Sequence, residues 1–294
     1  MTRTWFITGA NRGLGRAFTS AALAEGDRVV ATARDPKAMT ELAHDRLTVL
    51  PLDIRERESV IATVDKAFAL MDTIDVIVNN AGYGLVGAVE ELTEAQIRDQ
   101  MDTNFYGALW VSQAAVPHLR AQGSGHIVQI STVGAVGSLP LFSMYNASKW
   151  ALEGFSASLA DELRPFGISV TLAQMGGFDT DWAKSSMRFA TGNPAYEELR
   201  TAILGMPNYP TAGSANPTPS PTDANPTEAT SPDTEPEWTE APPEIGAAGL
   251  IALVNMSNPP LRKIIGPGAH DMVAIALDQR RQDYTTDPEF TWPA

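Results

Sequence analysis

The sequence TWFITGANRGLG, residues 4–15, joins a short apolar run to a glycine-rich turn. The run TWFIT predicts a β-strand, and the apolar spacing from Leu14 to Glu25 predicts a helix directly after the turn. Such a turn can bind a diphosphate, because the positive end of the helix points into it. Gly9 would permit the tight turn, Gly13 the approach of a diphosphate, and Gly15 close packing of helix on sheet. The spacing GxxxGxG differs from GxGxxG, and alone it is a weak indication of a dinucleotide site.

The same alternation of strand and helix continues along the chain. The further predicted strands are RVVATA (28–33), LTVLPLD (47–53), IDVIVNN (74–80), HIVQIS (126–131), GISVTLAQ (167–174) and LRKIIG (261–266). The further predicted helices are 37–43, 59–71, 143–164, 245–255 and 270–282, with two more through Ala95 and Ala121. This order predicts an α/β fold, a doubly wound Rossmann-type parallel sheet flanked by helices.

Residues 206–243 interrupt this pattern. They contain 10 prolines and 6 acidic residues, but no lysine, arginine or apolar period. Such a composition buries too little apolar surface to offset the entropy lost on ordering. The sequence therefore predicts one Rossmann-type domain, built from residues 1–205 and 244–294, with residues 206–243 as an acidic, Pro- and Thr-rich, flexible and disordered insertion.

Composition excludes several classes of protein. The 294 residues include no cysteine, which removes disulfides, thiolate metal sites and cysteine nucleophiles. A net charge of −14 argues against a nucleic-acid partner, which would need clustered Lys and Arg. The four histidines, His44, His118, His126 and His270, are scattered, so no metal site is predicted. There is no apolar run long enough to span a membrane and no signal-peptide pattern, so a cytoplasmic location is expected.

The end of the second predicted strand indicates which nicotinamide cofactor would fit. A carboxylate there would bind the ribose diol of NAD, whereas a cation would bind the 2′-phosphate of NADP. Arg34 follows this strand, and Arg12 lies in the glycine turn, where both can reach the same corner. Asp35 comes next and can instead be a turn residue before Pro36. NADP(H) is therefore the predicted cofactor, with NAD(H) as the alternative.

Other strand ends belong to the same crevice, because open sheets bind ligands at the carboxyl ends of their strands. Asp53 ends the third predicted strand and could accept a hydrogen bond from the amine of adenine; a helix cap or loop is the alternative role. Asn80 ends the fourth and could tie neighbouring strand ends together. Ala81 and Gly82 leave room for a flat ring.

The stretch SMYNASKW, residues 143–150, places Tyr145 and Lys149 four positions apart. On a helix they lie one above the other. A nearby ammonium favours the phenolate form of tyrosine. In isolation, the pair also fits a surface tyrosine beside a solvated lysine.

Taken together, TGANRGLG (8–15), NNAG (79–82), Asn104 and YNASK (145–149) resemble the short-chain dehydrogenase/reductase family in order and spacing. The resemblance is nearest to the branch of the 17β-hydroxysteroid and retinol dehydrogenases. It implies that Tyr145 is the general acid or base, and that Asn104 orients a water leading to the lysine. It also implies that Lys149 hydrogen-bonds the nicotinamide ribose. Lys149 and the charge of oxidised nicotinamide are expected to lower the tyrosine pKa from about 10 to about 7.

The chain departs from the family pattern at two places. The family serine thirteen residues before the tyrosine is replaced by Thr132, which keeps the hydroxyl but adds a methyl group. The adjacent Ser131 should face the other side of its strand. Met175 stands where the family usually has proline, which relaxes the backbone beside the nicotinamide carboxamide, while Thr180 still matches a family threonine.

The expected catalytic residues are Tyr145, Lys149, Thr132 and Asn104. The expected cofactor-binding residues are Gly9, Asn11, Arg12, Gly13, Leu14, Gly15, Arg34, Asp53, Ile54, Asn80, Ala81, Gly82, Tyr145, Lys149, Gly176, Phe178 and Thr180. The expected substrate contacts are apolar: Leu139, Phe142, Phe178, Trp182 and Met187.

These residues predict an NADP(H)-dependent oxidoreductase that interconverts a small lipophilic ketone or aldehyde and its alcohol by hydride transfer. One alternative is an NAD-dependent alcohol dehydrogenase, and another is a non-catalytic NADP-binding sensor or scaffold. The family resemblance also implies a homodimer or homotetramer formed through two central helices, which carry Trp110 and Trp150.

Overall fold

The computed structural model describes residues 2–180, 186–210 and 240–291, and its centre is a parallel β-sheet. The strands, numbered along the chain, are β1 (Thr4–Ile7), β2 (Arg28–Ala33), β3 (Leu47–Pro51), β4 (Val76–Asn79), β5 (Leu85–Val86), β6 (Gly125–Thr132), β7 (Ile168–Met175), β8 (Arg188–Phe189) and β9 (Arg262–Ile265). Seven of them form the sheet in the order β3-β2-β1-β4-β6-β7-β9. β5 and β8 pair separately as a short parallel ladder that the sequence did not predict.

The sheet changes its direction of growth between β1 and β4. From β1 the chain winds outward to β2 and β3, then returns to place β4 on the other side of β1. Trp5 is accordingly in register with Val29 on one side and Val76 on the other. The predicted doubly wound sheet is confirmed, and its switch point is the place where such sheets leave a crevice for ligands.

The helices cover both faces of the sheet. They are α1 (Gly13–Ala24), α2 (Arg57–Leu70), α3 (Glu94–Met101), α4 (Gly107–Gln122), α5 (Ser143–Leu163), α6 (Glu197–Leu204), α7 (Pro243–Val254) and α8 (Ala269–Thr285). Alternate residues of β1 point to opposite faces, as the pleat requires. Trp5 and Ile7 pack with Phe18 of α1 and Leu250 of α7, whereas Phe6 packs with helices α2, α4 and α5. These two cores share one sheet, so the described residues form a single domain.

Several predicted elements differ from the structure in detail. The helix predicted at 37–43 is a 3-10 helix at Pro36–Leu42, which begins at a proline. Helices α3 and α4 are joined by one π-helical turn at Asp102–Tyr106. None of the described helices is both long enough and apolar enough to cross a membrane.

The insertion predicted at 206–243 is too wide at both ends. The Pro207 carbonyl accepts a 2.7 Å hydrogen bond from Arg200, and the Tyr209 hydroxyl donates a 2.5 Å bond to Glu91. At the other end, α7 already begins at Pro243. The rest of the predicted insertion, residues 211–239, lies outside the described residues.

Candidate active site

A cavity of about 580 Å³ opens at the carboxyl ends of the strands. All the predicted cofactor-binding residues line it, as do Thr132 and the predicted substrate contacts Leu139, Phe142, Phe178 and Met187. The fifth predicted substrate contact, Trp182, lies outside the described residues. The remaining predicted catalytic residue, Asn104, does not line the cavity.

The glycine turn has a geometry that side chains would obstruct. Gly9 has φ +63°, in the left-handed region that favours glycine, and a Cβ there would lie 2.9 Å from the Cα of Ala81. A Cβ on Gly15 would lie 2.3 Å from the carbonyl oxygen of Gly9. Helix α1 therefore begins directly beneath the turn, and its N-terminus faces the cavity.

Thr8 and Asn80 fasten the turn to β4. The side-chain amide of Asn80 donates to the main-chain oxygens of Thr8 (3.0 Å) and Gly9 (3.1 Å). In return, the Thr8 hydroxyl accepts from the main-chain nitrogens of Asn80 (3.0 Å) and Ala81 (3.1 Å). The predicted tie between strand ends is thus present. Thr8 was not predicted, although its position directly before Gly9 was a usable signal.

Two arginines face the corner predicted for a 2′-phosphate. Arg12 and Arg34 both line the cavity and are exposed, and neither side chain makes a hydrogen bond or ion pair with the described part of the chain. The carboxylate of Asp35 instead accepts a 3.0 Å hydrogen bond from the main-chain nitrogen of Lys37. Asp35 therefore caps the following turn. This is the turn role predicted for it as the alternative to binding a ribose.

Asp53 lines the cavity but already has a partner. Its two carboxylate oxygens accept side-chain hydrogen bonds from Arg55 at 3.0 and 2.6 Å. Hydrogen bonding to Arg55 holds the pKa of Asp53 below its usual value, despite the opposing effect of burial. An adenine amine would share this carboxylate with Arg55. The sequence analysis did not predict a role for Arg55.

Tyr145 and Lys149 lie on one buried face of α5. The Lys149 ammonium is 6.0 Å from the centre of the Tyr145 ring and donates a 2.8 Å hydrogen bond to the carbonyl oxygen of Ile130. Thr132 lines the cavity beside them, and its hydroxyl accepts from the main-chain nitrogen of Gly134 at 3.1 Å. The structure thus brings three of the four predicted catalytic residues together.

The protonation of this group differs from the expectation. Burial raises the pKa of Tyr145 to about 12, although its hydrogen bond with Thr132 acts in the opposite direction. Burial also lowers the pKa of Lys149 to about 8, against the effect of the Glu153 carboxylate. The expected lowering of the tyrosine pKa to about 7 is therefore not produced by the protein groups, because burial outweighs the effect of Thr132.

Ser131 also lines the cavity next to Thr132, but its hydroxyl is bonded on the α5 side, away from Tyr145. Its hydroxyl donates a 2.8 Å hydrogen bond to Glu153, a buried carboxylate one helical turn after Lys149. Gln174 (3.1 Å) and Arg262 (2.8 Å) donate to the same carboxylate. Glu153 thus holds three strands against α5 beneath the site, a role that nothing in the local sequence indicated.

Asn104 lies one layer behind the cavity, in the π-helical turn. Its amide nitrogen donates to the Tyr83 carbonyl (2.9 Å) and the Ser148 hydroxyl (3.1 Å), and its oxygen accepts from the Tyr83 main-chain nitrogen (3.0 Å). These contacts use both amide hydrogens. They secure the loop after Gly82 to α5, and the predicted role of orienting a water stays a prediction.

The far end of the cavity is apolar. Phe142 contacts Tyr145 edge to face, with ring centres 6.4 Å apart, and belongs to a buried cluster with Leu141, Met187 and Ile203. Ile203 lies on α6, so this helix forms part of the wall.

A buried ion pair holds α6 in place. Arg200 of α6 donates a 2.7 Å hydrogen bond to Glu91, and both side chains are almost fully buried. The two residues are 109 positions apart, so the pair could not be read from local patterns. Among the described residues there is no cluster of three or more side chains able to hold a metal ion.

The doubly wound sheet, the glycine turn and the buried tyrosine–lysine pair define a Rossmann-type oxidoreductase. A family model described as short chain dehydrogenase matches residues 3–190, and the chain belongs to that family. The resemblance drawn from the sequence is thereby confirmed.

Curated relatives and solved structures agree with this assignment. Oxidoreductase BOA17 of Botryotinia fuckeliana is 42% identical over 201 residues, which cover 67% of this chain and 73% of that protein. Retinol dehydrogenase 8 of Homo sapiens is 37% identical over 191 residues, which cover 61% of this chain and 60% of that protein.

A short-chain dehydrogenase from Streptomyces avermitilis superposes with a TM-score of 0.80 at 33% identity, covering 97% of this chain and 95% of that one. A metagenomic short-chain oxidoreductase solved in complex with NADP has a TM-score of 0.56 at 28% identity, covering 60% of this chain and 81% of that one.

Proposed function

We propose that the protein is an NADP(H)-dependent oxidoreductase that interconverts a lipophilic ketone or aldehyde and its alcohol. The observation that carries this proposal is the position of Tyr145, Thr132 and Lys149. They line one cavity together with the glycine turn and the apolar cluster around Phe142. A cofactor and an apolar carbonyl compound could therefore bind next to each other beside the Tyr145 hydroxyl.

The preference for NADP(H) over NAD(H) is supported by the two exposed arginines. Arg12 and Arg34 offer positive charge at the corner where the adenosine ribose would lie. The Asp35 carboxylate is instead hydrogen-bonded to the main-chain nitrogen of Lys37. A 2′-phosphate would pair with the guanidinium groups, whereas NAD would find no carboxylate there for its ribose diol. The metagenomic relative that was solved with NADP is consistent with this preference.

The glycine turn fits a dinucleotide, since side chains at Gly9 or Gly15 would obstruct it. When bound, NADPH supplies the hydride that reduces the carbonyl carbon. Tyr145, with a pKa of about 12, is protonated at neutral pH and can donate its proton to the carbonyl oxygen. The Thr132 hydroxyl can hold the same oxygen through a hydrogen bond. Lys149, with a pKa of about 8, keeps most of its charge at neutral pH and stabilises the phenolate that results.

The apolar wall supports a lipophilic substrate. Leu139, Phe142 and Met187 line the end of the cavity beyond Tyr145 and would contact the part of the substrate that does not react. Retinol dehydrogenase 8, by its name, acts on a lipophilic alcohol, in agreement with this wall.

The decisive experiment follows NADPH oxidation by absorbance with a panel of aromatic and aliphatic ketones. Tyr145→Phe removes the proton-donating hydroxyl and is expected to lower turnover by about 10²–10⁴-fold. Tyr106→Phe is the matched control, because Tyr106 is exposed in the π-helical turn and does not line the cavity. It should keep full activity.

The alternatives give different results in the same assay. Turnover with NADH at the same efficiency would favour the NAD-dependent alcohol dehydrogenase. NADPH binding without turnover of any carbonyl would favour the sensor or scaffold. Equal activity of Tyr145→Phe and wild type would refute the proposed chemistry.

A further inference from the structure

One polar side chain in the cavity wall has no role in the proposed reaction. Asn146 follows Tyr145 on α5, lines the cavity, and is only 8% exposed. Its main-chain nitrogen donates to the Phe142 carbonyl at 2.8 Å, as the helix requires. Its side-chain amide makes no hydrogen bond with any residue that the structure describes.

Each of the other buried asparagines of the described ranges donates hydrogen bonds through its side-chain amide nitrogen. Asn79 donates to the Ala108 carbonyl (3.3 Å) and the Ser112 hydroxyl (3.1 Å), and Asn104 is bonded to Tyr83 and Ser148. A buried amide is ordinarily paired in this way, because leaving it unpaired is unfavourable. The amide of Asn146, which instead faces the cavity, is suited to pair with an atom of a bound molecule.

The position of Asn146 relates it to the reacting oxygen. A Cβ added to Gly134 would lie 3.5 Å from the Thr132 hydroxyl and 3.9 Å from the Asn146 side-chain oxygen. The two polar groups therefore flank the same small gap beside Gly134. A molecule whose carbonyl is held by Thr132 and Tyr145 would extend a neighbouring atom towards Asn146.

We infer that Asn146 binds a second oxygen of the substrate. The preferred substrates are then ketones with another carbonyl or hydroxyl two or three carbons from the reacting one, such as β-diketones, β-keto esters and β-hydroxyketones. The carboxamide suits either group, since its nitrogen donates to a carbonyl and its oxygen accepts from a hydroxyl. The remainder of the substrate stays lipophilic because Leu139, Phe142 and Met272 surround it. This inference rests on the proposed function and narrows its substrate class.

The test compares two substrates of equal length, a β-diketone and the monoketone that lacks its second oxygen. Wild type should favour the β-diketone in kcat/KM. Asn146→Leu preserves the size of the side chain but removes its hydrogen bonds. It should lower kcat/KM for the β-diketone by about 10- to 100-fold and change that for the monoketone by less than about threefold. NADPH binding and the thermal midpoint, measured alongside, should remain those of wild type.

A second variant covers the case in which Asn146→Leu does not fold. Gly134→Ala adds a methyl at ordinary contact distance from both Thr132 and Asn146, so it narrows the gap without a clash. It should show the same selective loss for the β-diketone.

The outcomes separate this inference from the function on which it rests. Equal loss for both ketones, or no loss for either, would overturn the assignment of Asn146 while leaving the oxidoreductase intact. If none of the ketones supports NADPH oxidation by the wild-type protein, the proposed function is refuted, and this inference is refuted with it.

Discussion

Replacing Gly15 with alanine tests whether the glycine turn is held rigidly against the sheet. The added Cβ would lie 2.3 Å from the Gly9 carbonyl oxygen and 2.5 Å from the Asn80 amide nitrogen. The carbonyl belongs to the main chain and cannot rotate aside, so α1 must move and Asn80 must lose its two hydrogen bonds to the turn. Overpacking costs about 1–3 kcal/mol, and each lost bond about 1 kcal/mol. Alanine returns up to about 1 kcal/mol through its better helix propensity, which leaves a net loss of about 2–4 kcal/mol.

Calorimetry and NADPH titration would measure this effect. A loss of that size should lower Tm by about 5–15 °C in a domain of this length. The displaced turn should weaken NADPH binding by at least about 10-fold, since main-chain groups of the turn would hold the diphosphate. Gly154→Ala is the matched control, because a Cβ there meets nothing within 4 Å in the middle of α5. It should raise stability slightly and leave NADPH binding unchanged. If both variants behave alike, α1 does not lie as close to the glycine turn as the structure shows.

Three further perturbations test other parts of the structure. Arg34→Ser should weaken NADPH binding by about 10- to 100-fold and leave NADH binding unchanged, and a parallel loss for both cofactors would contradict the 2′-phosphate site. Arg200→Met should cost about 3–5 kcal/mol in urea unfolding by leaving Glu91 buried without its cation, and adding Glu91→Met should restore part of that loss. His126 is buried beside Thr171, and burial lowers its pKa to about 4. Because the unfolded histidine titrates near 6.5, its contribution to stability is complete above that pH and falls by about 1.4 kcal/mol per unit between pH 6.5 and 4. His126→Gln should flatten that part of the stability curve, and an unchanged slope would show that His126 is not buried as a neutral group.

The sheet and the glycine turn could be predicted from the sequence because both depend on short sequence patterns. The run before Gly9, the strand directly before Asn80 and the spacing of Tyr145 and Lys149 are each local patterns, and each corresponds to an element of the structure. Short segments at the end of parallel strands necessarily meet at one edge of the sheet. The sequence therefore sufficed to bring them into a single cavity.

Contacts between distant segments could not be predicted from the sequence. The amide of Asn104 is taken up by Tyr83, 21 residues earlier. The ends of the proposed insertion pack because Glu91 lies beneath Tyr209, 118 residues away. No periodicity or propensity encodes such pairs, since they arise only when loops meet above the sheet. The raised pKa of Tyr145 likewise depends on burial depth, which the spacing of Tyr145 and Lys149 does not reveal.

That raised pKa bears on the direction of the proposed reaction. Reduction needs a protonated phenol, and a pKa of about 12 provides one throughout the neutral range. Oxidation needs the phenolate, whose formation at neutral pH would require about 1.4 kcal/mol for each unit by which the pKa exceeds the pH. Lys149 has a pKa of about 8, so its own charge declines as the solution becomes alkaline. The protein groups alone therefore favour proton donation to a carbonyl oxygen. An alcohol would be oxidised efficiently only if the positive charge of the oxidised cofactor supplied the remaining stabilisation of the phenolate.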